Sequence, residues 1–168
     1  ERVKRWKNFD MTTLNTPEEI EVNMVDKSKE QWVKIEITAD SGARETVGPR
    51  TIAPHIPISP SRASMAGIGY VAANGTRISN HGEKMLIGVD DGGMAMGMKM
   101  QIAAVSKLLA AVSSICDAGN RVIFDNEGSY IESKKTGKKT AMRRESGVYK
   151  FDMWVQQNQN NSGVNSVF

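Results

Sequence analysis

One short string, Asp40-Ser41-Gly42-Ala43, carries residue types that could perform hydrolysis. It follows an apolar stretch, so the carboxylate of Asp40 would stand at the end of a buried strand. Gly42 would let the backbone come close and turn an N–H toward the carboxylate oxygens. Two such carboxylates about 3 Å apart cannot both ionise, so one can act as a base on a water molecule while the other acts as an acid. The same residue types also favour an ordinary turn, so the string alone leaves both interpretations open.

The chain holds one copy of this string. Asp90-Asp91-Gly92 and Asp117-Ala118-Gly119 come nearest to it, but both lack Ser or Thr at the middle position. A carboxylate pair therefore requires a second copy of the chain, and a two-fold symmetric dimer brings identical residues together on its axis. We predict that a monomer is inactive.

The chain has few of the cysteine and histidine residues that disulfides and metal sites need. A single cysteine, Cys116, excludes an intramolecular disulfide, and His55 and His81 are too few for a Cys/His metal cluster in one chain. We therefore predict no metal and no cofactor. Cys116 is interpreted as a small buried hydrophobe and His55 as a solvated residue in a Pro-punctuated loop.

Alternating apolar residues predict the strands that must position Asp40. Residues 32–39 alternate, and residues 94–102 carry an apolar side chain, mostly Met, at every second position. Thioether sulfur suits a soft metal, but period two is what a core-facing strand needs, so we interpret the methionines as core. Further strands are predicted at residues 70–73, 76–78, 84–89, 121–125 and 129–132, and a last one has the apolar face Tyr149, Phe151, Met153 and Val155.

Turns and one helix complete the pattern. Asn74-Gly75 between two short strands predicts a two-residue type I′ hairpin. Apolar residues at 108, 109, 112, 115 and 116 recur at helical spacing and predict a helix that ends near Gly119. Turn residues recur about every 8–12 residues, so we predict a mostly β fold with this single short helix near its C-terminal end.

Composition sets the boundaries. The 168 residues, 39 % of them hydrophobic and 24 % charged, suit one soluble domain with tails. The net charge of +3 is too small to indicate a nucleic acid or a membrane surface as a partner. We predict a linker or edge strand at residues 1–30, with a possible short strand at 20–25, the domain at 31–155 and a disordered Gln/Asn-rich tail at 156–168. No signal peptide and no apolar run of about 20 residues is present, so we expect an intracellular, cytoplasmic protein without membrane contact. The start at Glu1 rather than Met suggests a piece of a longer chain.

A basic run follows the predicted helix. It contains six positive charges in eleven residues, at Lys134, Lys135, Lys138, Lys139, Arg143 and Arg144. A solvated hairpin rim is one interpretation, and weak contact with a nucleic acid or an acidic part of a parent polyprotein is the other.

Three segments, in this order, resemble the retropepsin family of aspartic proteases. They are Ile35-Glu36-Ile37-Thr38-Ala39-Asp40-Ser41-Gly42-Ala43, then Tyr70-Val71-Ala72-Ala73-Asn74-Gly75 through Gly82, then residues 108–119 with Val122-Ile123-Phe124. The resemblance covers about residues 31–155, and within that family the chain is similar to the protease segments of retrotransposon polyproteins of the Copia type and of relatives found in algal genomes.

The resemblance implies a half-barrel that is active as a homodimer, with a mobile hairpin flap. Asp40 would be the catalytic carboxylate of each copy, Ser41 would give its hydroxyl to the facing loop of the partner, and Gly42 would give its N–H to the carboxylate. Substrate contacts would come from the loop, the flap and a late apolar segment, namely Ala43, Ala73, Asn74, Gly75, Leu109 and Ala110. Ala110 and Ala111 stand where the family has Gly, and a positive φ there would cost about 1 kcal/mol or more.

Three hypotheses follow. The first is a homodimeric aspartic endopeptidase that cleaves its own polyprotein through two Asp40 carboxylates. The second is a catalytically inactive module of the same fold that dimerises or binds peptides. The third is a nucleic-acid-binding spacer that uses the basic run.

Overall fold

The long strands of this mostly β protein carry the predicted alternation of apolar residues. The computed structural model describes residues 11–14 and 32–157. The strand predicted at residues 20–25 and nearly all of the predicted tail lie outside the described residues. The strands are β1 Met11–Leu14, β2 Trp32–Asp40, β3 Val47–Gly48, β4 Tyr70–Val71, β5 Arg77–Ile78, β6 Glu83–Val89, β7 Ala95–Ile102, β8 Leu108–Ala111, β9 Asn120–Ile123, β10 Ser129–Ser133, β11 Lys139–Glu145 and β12 Val148–Gln156, and the helices are α1 Arg62–Met65 and α2 Val112–Asp117.

Six strands close into a barrel in the order β7, β3, β8, β2, β12 and β6. The closing strand is β12, which pairs along its length with β2, as in Phe151↔Ile37, and at its far end with β6, as in Val155↔Gly88. The predicted half-barrel is therefore corrected, because a single chain closes the barrel. The nine residues of β12 are enough to pair with β2 on one edge and with β11 and then β6 on the other, and the short pairing with β6 closes the ring.

The core of the barrel is built on the methionine strand. Met96, Met98, Met100 and Ile102 are all 0 % exposed, which confirms that period two marks a core face. The opposite side of β7 is also largely buried, at Ala95, Gly97 and Gln101. The largest fully buried side chains from other elements are Phe151, Met153, Ile37, Ile56, Leu86, Leu108 and Ile115.

Both helices differ from the prediction. The helical spacing from residue 108 onward is misleading, because Leu108–Ala111 form β8 and the helix starts only at Val112. β8 pairs in parallel with β2, and this tertiary pairing overrides the local period. The other helix, α1, was not predicted from the sequence. It has only four residues, and in its capping box Ser64 stands in place of the usual Glu or Gln.

Two sheet extensions flank the barrel. β1 pairs antiparallel with β7, so an edge strand does lie within the predicted segment 1–30. On the other side, β11, β10 and β9 continue the sheet from β12, and β9 and β10, which lie at two of the predicted strands, pair as an antiparallel hairpin. Among the described residues, no helix is long and apolar enough to cross a membrane.

An ion-pair network ties β2 to β11 and β12 on the outer face. The Arg143 guanidinium donates to Glu36 at 2.7 Å, to Asp152 at 2.8 Å and to Glu145 at 2.8 Å. Lys150 Nζ lies 2.9 Å from the other oxygen of Glu36. These two cations lower the pKa of Glu36 from its ordinary value of 4.5, Lys150 having the larger effect. The network thus fixes the strand that ends in Asp40.

Acid should weaken this network. Because the pKa of Glu36 is lower in the folded chain than in the unfolded chain, its stabilisation is present above about pH 4.5 and lost as the pH falls through the lowered value. We expect the thermal midpoint to fall between pH 5 and 3 by more in the natural chain than in Glu36→Gln, as followed by circular dichroism at about 0.1 M salt. Equal falls in the two chains would show that Glu36 contributes nothing.

Candidate active site

Asp40 ends β2 at the point where β2 and β8 run in parallel. Its register partner on β8 is Ala111, and Ile37, three residues before it, is fully buried. The backbone N–H of Gly42 donates to Asp40 Oδ1 at 2.8 Å. A half-buried carboxylate is therefore held by a tight local bond at the end of a core strand. This is the placement that the residue types predicted.

The chain around Asp40 wraps the end of β8. β8 lies between β2 and β3, the two strands that flank the Asp40 loop, and Val47 of β3 pairs with Leu109. Buried Thr46 accepts a hydrogen bond at its Oγ1 from the N–H of Ala111 at 3.1 Å. Because Ala111 is also the partner of Asp40, this bond joins both ends of the loop to one residue. This hydrogen bond therefore restrains the position of the loop.

The backbone of one chain does not require glycine at residue 42, nor at residues 110 and 111. A Cβ on Gly42 would lie 3.4 Å from Asp40 Oδ1, an ordinary contact, and Gly42 has no positive φ. Ala111 has φ −65° and Ala110 has no positive φ either, so alanine at these positions, where the resemblance implied glycine, causes no backbone strain. The expected cost at this turn is absent because residues 108–111 continue as an extended strand to the helix.

A cleft of about 540 Å³ opens beside Asp40. One wall comes from β2 and β8, and the other from residues that the sequence analysis did not identify as site residues. The rings of Phe124 and Tyr149 meet there with centroids 4.7 Å apart, and Phe124 and Val148 are 41 % and 36 % exposed. The lining residues are Thr38, Ala39, Asp40, Ser41, Lys107, Leu109, Phe124, Gly147, Val148 and Tyr149.

Strand register explains why the second wall was missed. Tyr149 pairs with Ala39, so the turn before β12 folds back onto the loop of Asp40. The only local signal was the turn string Ser146-Gly147, which says where the chain reverses but not what it meets. Because Tyr149 and Ala39 are 110 positions apart, no local sequence pattern predicts that they pair.

The structure gathers some of the predicted site residues and leaves others apart. Asp40, Ser41 and Leu109 line one cleft, and Gly42 follows them in the loop. Ala110 is fully buried on β8, and Ala43 is half-buried outside the lining. Ala73, Asn74 and Gly75 are exposed at the β4–β5 turn and do not line the cleft of this chain.

The β4–β5 hairpin belongs to a projecting segment, residues 62–79, that we call the arm. No residue of the arm is buried, whereas Ser61 and Asn80 at its two ends are. Three large apolar side chains of the arm are exposed, at Met65, Ile68 and Val71. The arm therefore extends away from the core.

The predicted two-residue turn at the tip of the arm is wrong. Ala72 N–H bonds to Thr76 O, and Gly75 N–H bonds to Ala72 O, which makes a three-residue loop. A type I′ turn needs positive φ at both central residues, but of the pair Asn74-Gly75 only Gly75, at φ 84°, has it. Asn74 instead accepts from Thr76 N–H, which favours the longer loop.

One polar chain attaches the base of the arm to the barrel. The Tyr70 hydroxyl donates to Glu45 at 3.0 Å and accepts from Asn80 at 3.3 Å, while Asn80 also donates to Gln101 at 2.9 Å. Burial and the neighbouring charge of Glu45 raise the pKa of Tyr70 well above its ordinary value, so the hydroxyl remains a donor. Glu45 comes five residues after Asp40, so the arm and the candidate site share one stretch of chain.

Two minor predictions need correction. His55 is half-buried rather than solvated, and its Nε2 is buried without a hydrogen-bond partner among the described residues. Cys116 is a free thiol of intermediate exposure rather than a fully buried one, because the face of α2 that packs inward is centred on Ser114 and Ile115.

One acidic side chain lines the cleft among the residues that the structure describes. Asp40 is the only carboxylate among the described residues that line it. Within residues 11–14 and 32–157, no three side chains of His, Cys, Asp or Glu come together in a way that could hold a metal ion. Comparison of the chain with protein-family models, with curated proteins and with solved structures found no match.

Proposed function

We propose that the chain is one half of a homodimeric aspartic endopeptidase of retropepsin type that processes its own polyprotein. The observation that carries this proposal is the placement of Asp40. Its carboxylate ends a core strand, is held by Gly42 N–H at 2.8 Å and opens on a cleft in which no other described residue is acidic. In the proposed enzyme, the second carboxylate of the pair comes from a second chain.

The proposed reaction uses the two Asp40 carboxylates of the dimer, which share one proton. The ionised carboxylate takes a proton from a water molecule, whose oxygen attacks the carbonyl carbon of the peptide bond. The protonated carboxylate gives its proton to the carbonyl oxygen. Return of that proton and transfer of a proton to the amide nitrogen break the C–N bond, and the two carboxylates again share one proton.

The loop residues support an encounter between two chains. Ser41 and Gly42 are exposed, and Ser41 makes no side-chain hydrogen bond to any described residue. In the proposed dimer the Ser41 hydroxyl donates to the facing loop, as the resemblance implies. An isologous contact on the two-fold axis would satisfy both hydroxyls at once.

The arm would serve as the flap. Its tip, with Ala73, Asn74 and Gly75, would close over an extended peptide and add main-chain hydrogen bonds, while closure excludes water. The exposed apolar side chains of the arm and those of Leu109, Phe124 and Val148 in the cleft favour a substrate with apolar side chains at the cleaved bond. In this structure no residue of the arm lines the cleft. In the proposal, the tip of the arm reaches a cleft, either its own or that of the partner chain, when the arm closes or the dimer forms.

The second candidate function is an inactive module that dimerises or binds peptides through the same surfaces. The presence of one carboxylate, Asp40, among the described residues of the cleft is as compatible with this inactive module as with an obligate dimer. The two candidates differ in whether a dimer cleaves peptides.

Activity as a function of concentration tests the proposal. Sedimentation equilibrium gives the fraction of dimer, and cleavage of a peptide library at about pH 4–6 gives the activity at the same concentrations. We expect specific activity to rise with the dimer fraction and to be abolished by pepstatin. Specific activity that is constant from monomer to dimer contradicts the shared site. A stable dimer without cleavage favours the inactive module.

A further inference from the structure

The turn between β10 and β11 presents four lysines from a fixed backbone. Lys134, Lys135, Lys138 and Lys139 are all exposed. Ser133 O accepts from Gly137 N–H at 2.7 Å, and Ser133 N–H donates to Lys138 O at 3.0 Å. Gly137 has φ 71°, which its lack of a side chain permits. We call these four lysines the basic tip.

The basic run of the sequence is divided by the fold. Arg143 forms ion pairs with Glu36, Glu145 and Asp152, so its charge is already neutralised within the chain. Arg144 lies near the other end of β11, close to the turn whose Gly147 and Val148 line the cleft. At about 3.4 Å per residue, β11 separates the basic tip from the cleft end by roughly 20 Å. The basic tip is thus a surface of its own.

The charge of the basic tip is not neutralised by the acids of neighbouring strands. Glu132 pairs with Arg121 at 3.4 Å, and Glu145 pairs with Arg143 and with Lys150. None of the four lysines makes an ion pair with a described residue. Lys139 lies 4.3 Å from the centre of the Tyr130 ring, a contact that orients the ammonium group and leaves its charge available.

We infer that the basic tip binds the phosphates of a single-stranded nucleic acid, independently of the proposed peptidase. Lysine ammonium groups on flexible stems bind phosphates as point charges and need no fixed geometry. The string Lys-Lys-Thr-Gly-Lys-Lys contains no apolar side chain that could enter a lipid surface. A nucleic acid carries one charge per nucleotide, so adjacent lysines each meet a phosphate and release a counterion.

Fluorescence anisotropy of labelled oligothymidylate with the full chain tests this inference. If four phosphates are neutralised, the logarithm of the binding constant falls against the logarithm of salt concentration with a slope of about −3. Replacing all four lysines by Gln is expected to bring the slope near zero and to weaken binding at least about tenfold at 50 mM salt. Asp40→Asn is expected to leave binding unchanged, so failure here and failure of the peptidase proposal are separate results.

A matched variant carries the same change in net charge elsewhere. It replaces four exposed cations outside the basic tip by Gln, at Arg44, Arg62, Arg77 and Lys107, and should retain the slope. Equal losses in both variants, no binding by the natural chain, or equally tight binding of polyglutamate of the same length would each overturn the inference. If the fourfold tip variant does not fold, Lys134→Gln with Lys135→Gln should halve the slope.

Discussion

Replacing Asp40 by Asn is expected to lower the rate of peptide cleavage by about 10⁴-fold, the upper range for loss of general acid–base catalysis. In a homodimer the single substitution removes both carboxylates, so neither base nor acid remains. The amide oxygen of Asn still accepts from Gly42 N–H, which keeps the loop in place. The loss should therefore appear in kcat and leave the dimer fraction from sedimentation unchanged.

Asp125 supplies a matched control. Its Oδ1 accepts from Glu127 N–H at 2.9 Å, the same local arrangement as at Asp40, on an exposed loop. Asp125→Asn is expected to cleave at the natural rate. Mixing the natural chain with excess Asp40→Asn should also inhibit, because mixed dimers hold one carboxylate. Cleavage that survives Asp40→Asn would refute the proposed mechanism.

Replacing Lys84 by Met is expected to lower the free energy of unfolding by about 3 kcal/mol. Lys84 is 3 % exposed, and its Nζ donates to the backbone oxygens of Arg50 at 3.1 Å, Ile52 at 3.0 Å and Ala53 at 3.1 Å. The ammonium group caps a loop that holds Ala53 at φ 47°, a strained value for alanine. Met fills the space but leaves these carbonyl groups without their donor.

Urea denaturation followed by circular dichroism measures this loss, and Lys99→Met serves as its control. Lys99 is a half-buried lysine on the neighbouring strand β7, without hydrogen bonds to backbone oxygens among the described residues. We expect Lys99→Met to change the free energy of unfolding by less than about 1 kcal/mol. A loss at Lys84 no larger than that at Lys99 would show that the three carbonyl contacts contribute little.

Lys84 also shows how far local pattern reaches. The sequence predicts a strand at residues 84–89, and the structure has β6 at Glu83–Val89. Lys84, Leu86 and Gly88 share the buried face of that strand, yet lysine is a residue that sequence reasoning places in solvent. The acceptors of Lys84 are backbone oxygens more than 30 residues away. Because every residue has a backbone oxygen, no side-chain pattern in the sequence predicts these contacts.

The sequence by itself determined the long strands and the place of Asp40. Strands β2, β7 and β12 follow from alternation, because a strand with a buried face needs an apolar side chain at every second position. Asp40 ends β2 for the same reason, since the apolar alternation stops there and turn residues follow. These features depend on neighbours in the chain.

Tertiary structure alone decided how those strands combine. The apolar residues at 108 and 109 suit a helix or a strand equally, and parallel pairing with β2 selects the strand. Closure of the barrel by β12 brings Tyr149 opposite Ala39 and so creates the second wall of the cleft. The contacts that decide these features join residues far apart in sequence, and their free energy arises only when the strands meet, so no local spacing of residue types encodes them.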